Sequence, residues 1–190
     1  MGSIIGIDLS LCSTGLARLT GDGTRPVWMA ETAAHESKPR GATLVDRHGR
    51  IADIVDAALA WALPAELVVI EAPIPHGQTA GTFERAWLWG ACVSALIRRD
   101  VPLVAIPPAV RAKFGGGTGA ADKAAVALAA GRMWPTWTPG SPKGVNDQAD
   151  ALILASLGVV LAGYPAPFAM PAYREAVLAK LPRLGKDNAA

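Results

Sequence analysis

The sequence predicts an α/β domain built on a partly parallel sheet with helices packed against it. Two short, continuous apolar runs, residues 3–8 and 67–71, read as buried strands, and each ends in an acid. Between them lies a stretch with helical spacing, apolar at positions 51, 54, 55, 58, 59 and 62. The order along the chain is strands, helix, strand, helix, strand, helices.

Residues 3–8, Ser-Ile-Ile-Gly-Ile-Asp, form the first expected strand. Residues 15–19 and 26–31 suit the next two, with Gly21-Asp22-Gly23 supplying the turn residues of a hairpin. The helix from Ile51 is stopped by Pro64. The strand at 67–71 is broken at once by Pro73 and Pro75. Residues 82–98 read as a helix in which Ala86, Gly90, Ala91 and Ser94 would let another element approach closely. A last short strand spans 102–106, before Pro107-Pro108. Residues 109–114 suit a short helix, 115–119 a glycine-rich loop, and 120–132 an alanine-rich helix. Prolines, glycines and two tryptophans make 133–145 a loop, after which Asn146 is positioned to cap a long helix to Leu161. The expected domain is 1–163, with 164–190 as a C-terminal appendage.

The chain has 190 residues, 51% of them hydrophobic and 18% charged, which fits one globular domain and excludes a disordered chain. No apolar run reaches the ~18–20 residues that span a bilayer, and the N-terminus lacks a signal-peptide pattern. The expectation is a cytoplasmic protein with no membrane partner. The Ala-, Gly- and Pro-rich composition hints at a GC-rich bacterial or phage genome. Cys12 and Cys92 form no CxxC pair, and the three histidines show no metal-ligand spacing. Net charge is +2, but between residues 101 and 146 the bases Arg111, Lys113, Lys123, Arg132 and Lys143 face only Asp122. Such a stretch marks either a face for a polyanion or an ordinary solvated surface.

The acids carry the chemistry. In α/β sheets, sites form outside the carboxyl ends of the strands, where Asp8 and Glu71 stand. Asp147 and Asp150, three residues apart, share one helix face. Either could be an ordinary acid at a helix start. But the helix is almost wholly apolar beyond Asp150, so that carboxylate sits at the edge of a buried stretch, where an unpaired charge is costly. Four carboxylates crowd together only around a cation, and hard oxygen ligands suit Mg2+ or Mn2+. Two such ions, ~3.5–4 Å apart, are a known device for phosphodiester hydrolysis.

At these residues the chain resembles the RuvC Holliday-junction resolvases, especially their phage-type members. Ile-Ile-Gly-Ile-Asp8 with Thr14-Gly15 is similar to the first family motif, and Val-Val-Ile-Glu71 to the second. Pro107-Pro108-Ala-Val-Arg111, the glycine-rich loop and Ala121-Asp122-Lys123 are similar to the third. Asn146-Asp147-Gln-Ala-Asp150 is similar to the fourth. The match spans most of residues 3–160.

The resemblance implies an RNase H-like fold with a mixed five-stranded sheet, a homodimer, and Mg2+-dependent hydrolysis of branched DNA. Asp8, Glu71, Asp147 and Asp150 match the metal-binding carboxylates, which would hold about two ions per site. Lys123 matches a lysine close to the scissile phosphate, and Arg111 falls where the family has a DNA-contacting lysine; Lys113 joins them as a DNA contact. Residues 82–98 match the dimer interface. Two positions depart from the pattern. Leu9-Ser10 replace the Pro-Gly of bacterial members, and Ile74, followed by Pro75 and His76, stands where they carry a wedging aromatic. Ile74 and His76 remain candidate DNA contacts, since aliphatic wedges also unstack bases. Flaps and forks become substrates beside four-way junctions.

Three other functions share parts of this pattern. A sugar kinase shares the Gly-Ile-Asp start but needs a second half that this length does not supply. A related nuclease for structured RNA and a non-catalytic branched-DNA binder also fit parts of the pattern. Trp134 and Trp137, just before the last acids, could stack on bases or pack on the domain, with packing the simpler reading.

Overall fold

The computed structural model describes residues 2–21, 28–39, 41–73 and 81–181. Five strands form one sheet in the order β3-β2-β1-β4-β5. They are β1 (Gly2–Asp8), β2 (Ser13–Gly21), β3 (Trp28–Glu36), β4 (Leu67–Glu71) and β5 (Leu103–Ile106). β1 pairs antiparallel with β2 and parallel with β4, and β4 pairs parallel with β5. The mixed sheet expected from the sequence is therefore present.

Its period-2 alternation sorts the side chains into two cores. Ile5, Ile7, Val68 and Ile70 face α1 (Leu44–Ala62) and α2 (Thr82–Ile97). Ile4, Leu67, Val69 and Ile106 face α5 (Val145–Leu161). Around α5 lie α3 (Pro108–Gly116), α4 (Lys123–Met133) and α6 (Ala172–Leu178). Helix α5 is apolar on every side and is buried from Gln148 to Val159. Each fully buried Leu or Ile contributes about 1.5–3 kcal/mol. Leu152, Ile153, Leu154 and Leu157, all at 0% exposure, therefore anchor the helix firmly enough to hold Asp150 at 2%.

Several boundaries differ from the sequence expectation. Helix α1 begins at Leu44, because Thr43 and Asp46 form a reciprocal capping box. Its first turn is exposed at Leu44 and Val45, so no apolar spacing announces it. Strand β3 runs later and longer than 26–31; the turn at 22–23 lies outside the described residues. Gly115 and Gly116 belong to α3 rather than to a loop. The residue capping α5 is Gly144, at φ 62°, and Asn146 lies within the first turn. Beyond α5, Phe168 packs edge-on against Phe114 and Trp134. Arg174 donates to the Phe114 carbonyl at 2.9 Å, so residues 164–181 lie against the core. Among the described residues, no helix is long and apolar enough to cross a membrane.

Candidate active site

Asp8 and Glu71 end adjacent parallel strands, one residue beyond the Ile7–Ile70 pair. Asp8 has the parity of Ile4 and Gly6, and Glu71 that of Leu67 and Val69. Both side chains therefore leave the sheet on the face that α5 covers. The helix comes unusually close there. A Cβ added to Gly6 would stand 1.9 Å from the Ala151 carbonyl oxygen, and one added to Gly15 would stand 1.9 Å from that of Asp147. Gly15 is the strand partner of Asp8. Two missing side chains thus let the first turns of α5 rest on the backbone beside Asp8. That contact brings Asp147 and Asp150 to the strand ends.

The acids feel one another. Burial raises the Asp8 carboxyl well above its ordinary range, and the charges of Glu71 and Asp150 push it further. Asp150 is pushed up to about 6, first by burial, with Glu71 adding to it against the opposing pull of Arg111.

Arg111 stands between the carboxylates. Its Nε donates to Glu71 and its Nη1 to Asp150. Its side chain is only 12% exposed. Burial alone would lower its pKa, but the charges of Glu71 and Asp150 outweigh burial and hold the guanidinium above its usual value. The residue expected to meet DNA is thus turned toward the acids. Lys113, two positions on, lies about 200° further around α3 and is exposed.

Lys123 is the first residue of α4, after Asp122, which caps the helix by accepting from the Ala125 amide at 2.7 Å. A cation at a helix N-terminus opposes the macrodipole. Here it is drawn to Asp147, with Nζ 3.2 Å from Oδ1. That hydrogen bond and charge outweigh desolvation and raise its pKa. Lys143 pairs with Glu36 at 3.2 Å. Three of the five bases in the 101–146 stretch are therefore turned to nearby acids. Ile74 and His76 lie outside the described residues.

Further residues hold the site, among them Trp89 and Gln148, whose part the sequence did not show. The Trp89 indole donates to the Glu71 carbonyl at 3.0 Å and ties α2 to the end of β4. The Thr14 hydroxyl donates to the Ser10 carbonyl at 2.9 Å and closes the turn after Asp8. Gln148 is fully buried and binds the preceding loop through both ends of its amide. Its place right after Asp147 was the available signal. Trp134 and Trp137 pack on the domain, donating to Ser156 at 2.9 Å and Thr32 at 3.0 Å.

Four carboxylates from three elements make a hard-oxygen donor set suited to a divalent cation. Among the described residues, no three acid, imidazole or thiol side chains close on a single point. Arg111 reaches between Glu71 and Asp150 and supplies the positive charge there. The fit to a metal ion is thus one of donor chemistry, with the guanidinium occupying the space between two of the donors.

This architecture and sheet order define a protein with an RNase H-like fold. The chain is similar in structure to RuvC of Thermus thermophilus, with a TM-score of 0.61 and 23% identity, over 85% of this chain and 97% of that one. It is equally similar to T. thermophilus RuvC in complex with a Holliday junction substrate, with a TM-score of 0.61 and 24% identity, over 82% and 91% of the two chains. No protein-family model matches the chain, and no curated protein does.

Proposed function

We propose that this protein is a divalent-metal-dependent endonuclease that hydrolyses phosphodiester bonds in branched DNA, whether four-way junctions, flaps or forks. The observation that carries this reading is the meeting of Asp8, Glu71 and Asp150 at one sheet edge, where Arg111 bridges Glu71 and Asp150 and, beyond burial, the charges of those two acids raise the Asp8 carboxyl. Asp147 lies beside them, bound to Lys123. A cluster of like charges costs stability unless a cation offsets it. The likeness to RuvC, which binds a Holliday junction in one of its structures, supports DNA as the substrate.

Asp8, Glu71, Asp147 and Asp150 would hold Mg2+ or Mn2+. The bound ions, two per site, would supply an activated water and stabilise the leaving oxygen. The chain's own groups do the rest. Lys123, at the mouth of the site, meets the phosphate as a point charge, and the exposed Lys113 tracks the backbone. Ile74 and His76 contact the unstacked bases at the branch. The working form is a homodimer joined through α2, giving paired nicks, and it acts in the cytoplasm of a bacterium or a phage-infected cell.

The test is cleavage of end-labelled four-way junction, flap, fork and linear duplex DNA in Mg2+ or Mn2+, with EDTA as the control. Metal-dependent nicks near the branch are expected. A folded protein that cuts none of the branched substrates with either metal refutes the proposal. Faster cutting of a structured RNA would reassign the substrate.

A further inference from the structure

We infer that Arg111 is a built-in counter-ion that competes with divalent cations for Glu71 and Asp150, so that metal loading requires its release. The inference rests on the metal-dependent reading above and adds a regulatory element to that site.

The argument starts from the helix that carries Arg111. Helix α3 opens with Pro107 at the cap and Pro108 at the first position, and is anchored by Ala112 and Phe114, at 6% and 0% exposure. The backbone at 111 is therefore fixed, and the long side chain is the part free to change place. Its planar guanidinium suits two carboxylates at once, because its donors point in fixed directions. Here Nε takes Glu71 and Nη1 takes Asp150, one acid from the end of β4 and one from α5.

Both acids belong to the proposed metal-holding set. A guanidinium and a divalent cation repel, and both need the same carboxylate oxygens. Occupancy by one therefore weakens the other. In the metal-free protein Arg111 offsets part of the repulsion between the Glu71 and Asp150 carboxylates. On metal entry the displaced arginine becomes available to a DNA phosphate, which would couple loading to substrate binding. A lysine at this position, with one compact charge, could not bridge the two acids in the same way.

The experiment measures Mn2+ binding to the DNA-free protein by electron paramagnetic resonance, for the wild type, R111Q and R111K. R111Q is expected to bind Mn2+ roughly 5- to 100-fold more tightly than the wild type, with R111K between them. R111Q should also melt at a lower temperature in EDTA and gain more from Mn2+. Equal or weaker Mn2+ binding by R111Q overturns the inference. Should R111Q fail to fold, the wild type provides the test through the Arg111 Nε–H resonance. It should exchange slowly with water in EDTA and rapidly at saturating Mg2+; a resonance unchanged by Mg2+ overturns the inference. The two readings fail separately. Tighter Mn2+ binding by R111Q without DNA cutting by either protein keeps the counter-ion and removes the nuclease. Cutting by the wild type with no gain in R111Q affinity does the reverse.

Discussion

Gly15 lies directly against the backbone of Asp147: a Cβ on Gly15 would stand 1.9 Å from the Asp147 carbonyl oxygen and 2.4 Å from its carbon. Neither neighbour is a movable side-chain tip, so Gly15→Ala must lift the start of α5 from the sheet. The expected cost is about 1–3 kcal/mol, the range for overpacking. Urea denaturation measures it. DNA cutting should fall more than the folded fraction does, because Asp147 moves with the helix. Gly131→Ala is the control. Nothing lies within 4 Å of its added Cβ, and a helical Gly-to-Ala change should stabilise by about 0.5–1 kcal/mol. Equal stability of the Gly15 variant and the wild type would contradict the close approach.

Asp8→Asn and Asp150→Asn should abolish cutting while leaving DNA binding. A metal ligand supports several kcal/mol of transition-state stabilisation, so a loss of roughly a hundredfold or more in rate is expected. For Asp8 a second readout has the opposite sign. Its raised carboxyl pKa marks a charge that the folded state disfavours. Neutral asparagine removes that charge, so metal-free Asp8→Asn should be more stable near neutral pH, with a higher Tm. Calorimetry in EDTA checks this. A less stable variant would show that Asp8 is held by favourable contacts instead.

Lys123→Ala tests the phosphate contact. Its Nζ lies 3.2 Å from Asp147 at the mouth of the site. Losing one phosphate contact should flatten the plot of log affinity against log salt by about 1 and cost least at high salt. Titrations at several salt concentrations measure the slope. An unchanged slope together with unchanged cutting would remove Lys123 from the DNA interface.

Gln148→Ala tests how the loop before α5 is held. The Gln148 oxygen accepts from the Thr32 hydroxyl and the Gly140 amide, each at 2.9 Å. Its nitrogen donates to the Ser141 and Lys143 carbonyls, each at 2.9 Å. Gln148 and Thr32 are buried and the loop partners partly so, and losing these bonds should cost about 1–3 kcal/mol. Hydrogen exchange should show the Gly140 amide losing protection while the amides of β1 keep theirs. Retained protection at Gly140 would mean that other contacts secure the loop.

The two thiols should differ in reactivity. Cys12 is exposed, whereas Cys92 is buried on α2 and its thiol is pushed up to about 12 by burial. Thiolate is the reactive form, so a thiol reagent near pH 8 should modify one cysteine in the native protein and the second only on unfolding. Rapid labelling of both in the native state would contradict the packing of α2 on the sheet.

The sequence alone determined the elements whose signal is local. β1 and β4 were legible because unbroken Ile and Val runs end in an acid, and α5 because it is apolar on every side. Asp8 and Glu71 pointed to one sheet edge because each closes a strand at its carboxyl end, and Asp147 and Asp150 to one helix face because they stand three residues apart. The start of α1 was missed because its first turn is solvated, although the Thr43–Asp46 capping box was there to be read. Only the tertiary structure decided what lies between the acids. Arg111 was legible as a cation, but its turn toward Glu71 and Asp150 depends on where α3 docks relative to β4 and α5. Likewise, Gly6 and Gly15 reveal their purpose only when a helix distant in sequence rests on them. Local periodicity reports which residues face inward; the pairing of charges across elements is set by packing between segments far apart in the chain.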